Sequence, residues 1–91
     1  MISYTNPSRV VALGQCVRTR REALGLRQAE LGELAGCSSR FVHTLETGKD
    51  TVRMDKVLDV LEVLGLDLQV VPGTGRTVSA DLADTEADRA P

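Results

Sequence analysis

Apolar residues recur along the first two thirds of the chain at intervals of three and four, the spacing that gathers side chains on one face of a helix. Val10, Leu13, Val17 and Leu24 trace the first such face, and Gly25 stops it. Asn6 and Pro7 ahead of it fit a cap and a first helical residue. A second helix is expected from about Gln28 to Ala35, closed by Gly36. The third is capped by Ser38 or Ser39 and ends at Gly48. A fourth runs from about Met54 to Leu64, with Val57, Leu58, Leu61 and Leu64 on one face and Gly65 behind it. Asp55 in its first turn complements the helix dipole.

The period then changes to two. Leu66, Leu68 and Val70 alternate with Asp67 and Gln69, Val71 follows, and Pro72 ends the run, so residues 66–71 read as one short strand. A lone strand leaves its backbone groups unpaired, and the chain offers no second strand pattern. Pairing with the same strand of a second copy resolves this and predicts a two-fold homodimer. An extended tail packed on its own bundle is the other solution. Beyond residue 72, Gly, Thr, Ala and Asp dominate. The expected division is an arm over 1–6, a helical domain with its dimerisation strand over 7–72, and a disordered acidic tail over 73–91. A marginal helix over 80–88, formed on a partner, is the variant of that last segment.

With 91 residues there is material for one core. Tyr4 and Phe41 are the only aromatics, so Leu, Val and Ala must fill it. No apolar run approaches the ~20 residues that span a bilayer. The N-terminus lacks the basic-then-apolar pattern of a signal peptide, so a cytoplasmic location is expected. Cys16 and Cys37 fall inside helical patterns as small hydrophobes do in a reducing compartment. Two cysteines alone cannot hold zinc, and Cys37 with His43 finds no further ligand nearby, so no metal or other cofactor is expected.

The net charge of −2 is unevenly spread. Residues 8–49 carry seven Lys/Arg against four Asp/Glu, residues 50–71 two against five, and residues 72–91 two against four. Phosphate contacts depend on local potential, and the first half is basic.

The segment from Gln28 to Thr47 meets several independent constraints of a helix-turn-helix. Two helices crossing steeply need a very small residue at the fifth position of the motif, where Gly32 stands. The turn needs a residue tolerant of positive φ at the ninth, where Gly36 stands. Val42 and Leu45 at the fifteenth and eighteenth face the first helix, and Leu31 completes that small core. The opposite side of the third helix offers Ser39, Arg40, His43 and Thr44. An Arg can donate two hydrogen bonds to guanine, hydroxyls can bond base edges, and a Thr methyl can meet a thymine methyl, so these four are the candidate base contacts. Arg27, Gln28, Ser38 and Lys49 are the candidate phosphate contacts. Phe41 is expected to pack, partly buried, beside that face.

Residues 13–66 resemble the Xre/phage-repressor helix-turn-helix family. The runs Ser39-Arg40-Phe41-Val42, Leu45-Glu46-Thr47-Gly48-Lys49 and Thr51-Val52-Arg53-Met54-Asp55-Lys56-Val57 are most similar to HipB-type antitoxins. So is the ending Leu64-Gly65-Leu66-Asp67-Leu68-Gln69-Val70-Val71-Pro72. The resemblance implies an all-α, lambda-repressor-like bundle of about five short helices. It also implies an Arg21–Glu46 ion pair, and the same strand-paired dimer on a palindromic operator. A HipA-like kinase toxin as partner, sharing an autoregulated operon, is implied by the resemblance alone. Two departures stand out. Arg27 replaces the usual Thr cap, a loss of ~1 kcal/mol, and Gly32 replaces the usual Ala, roughly another 1 kcal/mol of helix propensity.

The function expected is a dimeric, sequence-specific transcriptional repressor, not an enzyme, acting as such an antitoxin. A stand-alone Xre-type regulator shares its DNA chemistry without the toxin. A protein-interaction module that has lost DNA binding is the reading from another class.

Overall fold

The structure is a computed structural model that describes residues 9–80. Four helices follow one another: α1 (Arg9–Ala23), α2 (Gln28–Ala35), α3 (Ser39–Thr47) and α4 (Met54–Leu64). Three of the four end on a glycine in the left-handed conformation, Gly36, Gly48 and Gly65, whose N–H groups return to carbonyls of the last turn. Such a turn is strained for any residue with a Cβ, so these glycines fix where each helix stops.

At the N-termini the caps differ. Ser38 Oγ accepts the Phe41 N–H at 3.0 Å, which resolves the two candidate caps of α3 in favour of Ser38. At the start of α2, Arg27 supplies no side-chain cap. Glu30 compensates by reaching back to accept the Arg27 N–H at 2.9 Å. The Arg27 N–H and guanidinium hold the Glu30 carboxyl below its ordinary range, so the acceptor stays charged.

Val17 of α1, Leu31 of α2, Val42 and Leu45 of α3, and Val57, Val60, Leu61 and Leu64 of α4 form one buried cluster. Helix α3 packs against both α1 and α2, and α4 closes the far side on α2 and α1. Phe41 is half-buried against this core, beside the outward face of α3.

The inward face of α1 is unusual. It consists of Ala12, Gly14, Val17 and Arg20, only two of which are apolar with a side chain of any size. Gly14 is where α1 and α3 cross: a Cβ there would lie 2.9 Å from the Glu46 carbonyl oxygen and closer still to that of Leu45. Arg20 is buried, and its Nε donates to the Leu64 carbonyl oxygen at 2.9 Å. A fixed positive charge thus meets one of the orphan carbonyls at the end of α4, where the helix dipole is negative.

The packing changes several expectations. The expected helix start at Asn6-Pro7 lies outside the described residues, as does most of the 80–88 segment. Leu24 follows the end of α1 and is exposed. In α4, Val60 is buried and Leu58 is 46% exposed, because the buried stripe is centred one residue off the apolar run. Residues 66–71 form no strand within the single chain: they follow α4 without regular structure, and the described residues contain no strand to pair with them. Leu66 is half-buried on the core, while Leu68, Val70 and Val71 are exposed, Val70 to 96%. Residues 73–80, expected to be disordered, have a described irregular path, and Arg9 Nη1 donates to the Gly75 carbonyl oxygen at 2.8 Å. No helix among the described residues is long and apolar enough to cross a membrane.

Candidate nucleic-acid interface

The turn between α2 and α3 decides how the third helix is presented. Gly36 takes φ 74°, and the chain reaches the Ser38 cap two residues later. A Cβ on Gly32 would stand 2.8 Å from the Cys37 carbonyl oxygen and 3.0 Å from the Ser38 backbone. The bare glycine therefore lets the start of α3 sit directly on α2. Cys37 itself is half-buried, and that burial pushes its thiol up, away from the reactive thiolate. Lys56 Nζ reaches from α4 to the Gly36 carbonyl oxygen at 3.1 Å and steadies the same turn.

With Val42 and Leu45 fully buried, the opposite side of α3 must face solvent. Ser39, Arg40 and His43 are exposed there, and Thr44 is half-buried. Among the described residues no partner satisfies the Arg40 guanidinium or the His43 ring. The Thr44 carbonyl oxygen accepts the Thr47 hydroxyl at 2.9 Å, and the Thr44 hydroxyl has no partner among the described residues. The four residues therefore share one solvent-facing surface that can hydrogen-bond base edges.

The candidate phosphate contacts are less uniform. Lys49 is exposed just past the end of α3 and has no partner among the described residues. Arg27 is exposed and pairs with Glu30 at 3.2 Å, an ion pair weak enough to exchange for a phosphate. The Ser38 hydroxyl serves as the cap acceptor and still has its proton to donate. Gln28 is placed differently from the others: its Nε2 donates to Glu46 Oε1 at 3.1 Å, turning the amide toward the domain.

That contact belongs to a network beneath the surface. Arg21 Nε lies 2.6 Å from Glu46 Oε2, and its Nη2 lies 3.0 Å from Oε1. Arg21 Nη1 also donates to the Leu26 carbonyl oxygen at 2.8 Å. The two side chains are 11% and 3% exposed. The carboxylate hydrogen bond raises the Arg21 pKa further, so the guanidinium stays charged. It joins α1, the α1–α2 turn, the start of α2 and the end of α3 in one constellation. Sequence reasoning missed Gln28 as a partner of Glu46 and, apart from this network, the buried Arg20 at the end of α4. Gln28 carried a visible signal, since it stands at the start of α2 with a carboxylate that needed a second donor. A buried arginine carries none.

No group of three or more His, Cys, Asp or Glu that could hold a metal ion occurs among the described residues. The site offers hydrogen-bond donors and positive charge on an exposed helix face.

A model of a helix-turn-helix domain matches residues 12–72. The chain belongs to the helix-turn-helix domain family. An HTH-type transcriptional regulator, y4mF of Sinorhizobium fredii, is 43% identical over 65 residues, which cover 70% of this chain and 86% of that one. Two solved structures share the arrangement of this helix-turn-helix domain. The clp gene regulator ClgR of Corynebacterium glutamicum superposes with a TM-score of 0.61 at 30% identity, over 67% of this chain. The chain spans 65% of ClgR's length. The restriction-modification controller protein C.AhdI of Aeromonas hydrophila gives a TM-score of 0.61 at 28% identity, covering 70% of this chain and 93% of its own. The match starts at Ala12 and ends at Pro72, so it takes in all of α2, α3 and α4, most of α1, and the extended segment after α4.

Proposed function

We propose that this protein is a sequence-specific, DNA-binding transcriptional repressor that reads an operator with Ser39, Arg40, His43 and Thr44. The observation that carries the proposal is the exposure of Arg40 and His43, without partners among the described residues, on a helix anchored from behind by fully buried Val42 and Leu45. Burial on one side leaves the other no structural task, and the residue types there are those that recognise base edges. Lys49, Arg27 and Ser38 flank this surface and hold the phosphates. Gln28 supports it from below through Glu46, and its backbone N–H at the start of α2 remains directed at the backbone of a bound duplex.

The repressor acts as a homodimer. Leu68, Val70 and Val71 extend from α4 with their backbone groups unpaired among the described residues, and Leu66 fixes the root of the segment on the core. Pairing two such segments covers these side chains and matches a palindromic operator, with half-sites about one helical turn apart. The narrower reading, an antitoxin to a HipA-like kinase toxin, is supported only by the motif similarity of residues 39–72. Co-purification of a kinase from the native host supports it, and a chain that comes out alone excludes it.

The DNA reading is tested by Arg40→Ala. Operator binding is expected to weaken by roughly 1–3 kcal/mol, with a much smaller loss on random DNA. Lys49→Ala is expected to weaken both alike and to flatten the salt dependence. Equal losses on operator and random DNA for Arg40→Ala would contradict base readout.

A further inference from the structure

The chain after α4 does not simply leave the bundle. It returns to the first turn of α1, where Arg9 Nη1 holds the Gly75 carbonyl oxygen at 2.8 Å, and three residues later Val78 is half-buried. That turn of α1 is wedged against the end of α3. A Cβ on Gly48 would come 2.8 Å from the Cα of Val11, two residues from Arg9. Gly75 is thus moored at the same end of the molecule as Gly48 and Lys49, on the phosphate side of the candidate interface.

The sequence that follows carries Asp81, Asp84, Glu86 and Asp88 against one Arg89. Six residues beyond Gly75 reach at most ~21 Å, and thirteen reach ~45 Å. The described molecule measures 38 × 35 × 21 Å, so the whole outward side of α3 lies within that span. An anion held on so short a tether has an effective concentration on the order of millimolar. The exposed cations it meets, Arg40 and Lys49, have no partner among the described residues.

From the mooring and the charge complementarity we propose that residues 81–91 dock against the exposed cations Arg40 and Lys49, at the two ends of α3, and compete there with DNA phosphate. What is displaced rests on the DNA-binding proposal above; the docking itself does not. A solvated charge run would need no mooring, and here the mooring sits where the competition would occur.

The test uses the full chain and two variants. In one, Asp81, Asp84 and Asp88 become Asn and Glu86 becomes Gln. The other is Arg9→Ala, which releases Gly75. Without DNA, neutralising the segment is expected to shift the backbone amide resonances of Arg40 and Lys49. With a mixed-sequence duplex of about 20 base pairs, the neutralised chain is expected to bind about threefold tighter or more near 50 mM salt, the gap closing near 300 mM. Arg9→Ala is the sharper discriminator. Loss of a positive charge alone weakens DNA binding, whereas release of a docked competitor strengthens it at low salt. Unchanged Arg40 and Lys49 resonances in the neutralised chain, or weaker binding by Arg9→Ala, overturn the proposal. Shifted resonances in a chain that binds no duplex uphold the docking and defeat the DNA-binding reading instead.

Discussion

At the scale of single residues, Glu46 carries the most. Its two oxygens accept from Arg21 twice and from Gln28 once, in a setting where its side chain is 3% exposed. Removing one member of such a pair leaves the other buried and charged, which costs about 3–5 kcal/mol. Glu46→Ala is therefore expected to lower unfolding free energy by about 3 kcal/mol or more in urea denaturation, a large share of what so small a domain possesses. Glu46→Gln keeps an acceptor for Arg21 and is expected to lose less. The polar outward residues of α3 were legible in the sequence, because their spacing opposes that of Val42 and Leu45. Arg20 was not. An arginine in a basic half of a chain looks like surface charge, and only the fold brings the end of α4 to it.

At the scale of elements, the pattern of helix α1 was legible only in part. Of the expected face through Val10, Leu13, Val17 and Leu24, Val17 is buried and Leu13 packs on the core, while Leu24 is exposed. Ala12, Gly14 and Arg20 are buried beside them, where close approach to α3 rather than apolar bulk decides what fits. Gly14→Ala would drive a methyl group into the carbonyl oxygens of Leu45 and Glu46, both backbone and unable to swing aside. Overpacking of this kind costs typically 1–3 kcal/mol, against a helix-propensity gain of ~1 kcal/mol. Gly32→Ala meets its nearest backbone atom at 2.8 Å and has more room. Thermal melts are expected to show Gly14→Ala clearly destabilised and Gly32→Ala less so; the reverse order would show that the two crossings yield differently. Helices α2, α3 and α4 were legible nearly to the residue because glycine stops are local. The inward side of α4 was not, since Leu58 and Val60 are both apolar and only packing distinguishes them.

At the scale of the whole molecule, the extended segment after α4 has the largest unmet demand. Leu68, Val70 and Val71 are exposed together, Val70 almost completely, and the single chain covers only part of Leu68. Replacing Leu68 and Val70 by Asp is expected to yield monomers in sedimentation that hold a half-site poorly, with helical content unchanged. A dimer that survives both substitutions would place the contact elsewhere. A single chain's sequence could announce the alternation but not the partner, because a strand exists only once it is paired. The anchoring of α3 has a further consequence. Val42, Leu45 and Glu46, with half-buried Phe41, hold it to the bundle, and exposed Ser39, Arg40 and His43 take no part in that packing. Positions 39, 40 and 43 are therefore free to vary without unfolding the domain, so the chemistry displayed on this face can change on an unchanged scaffold.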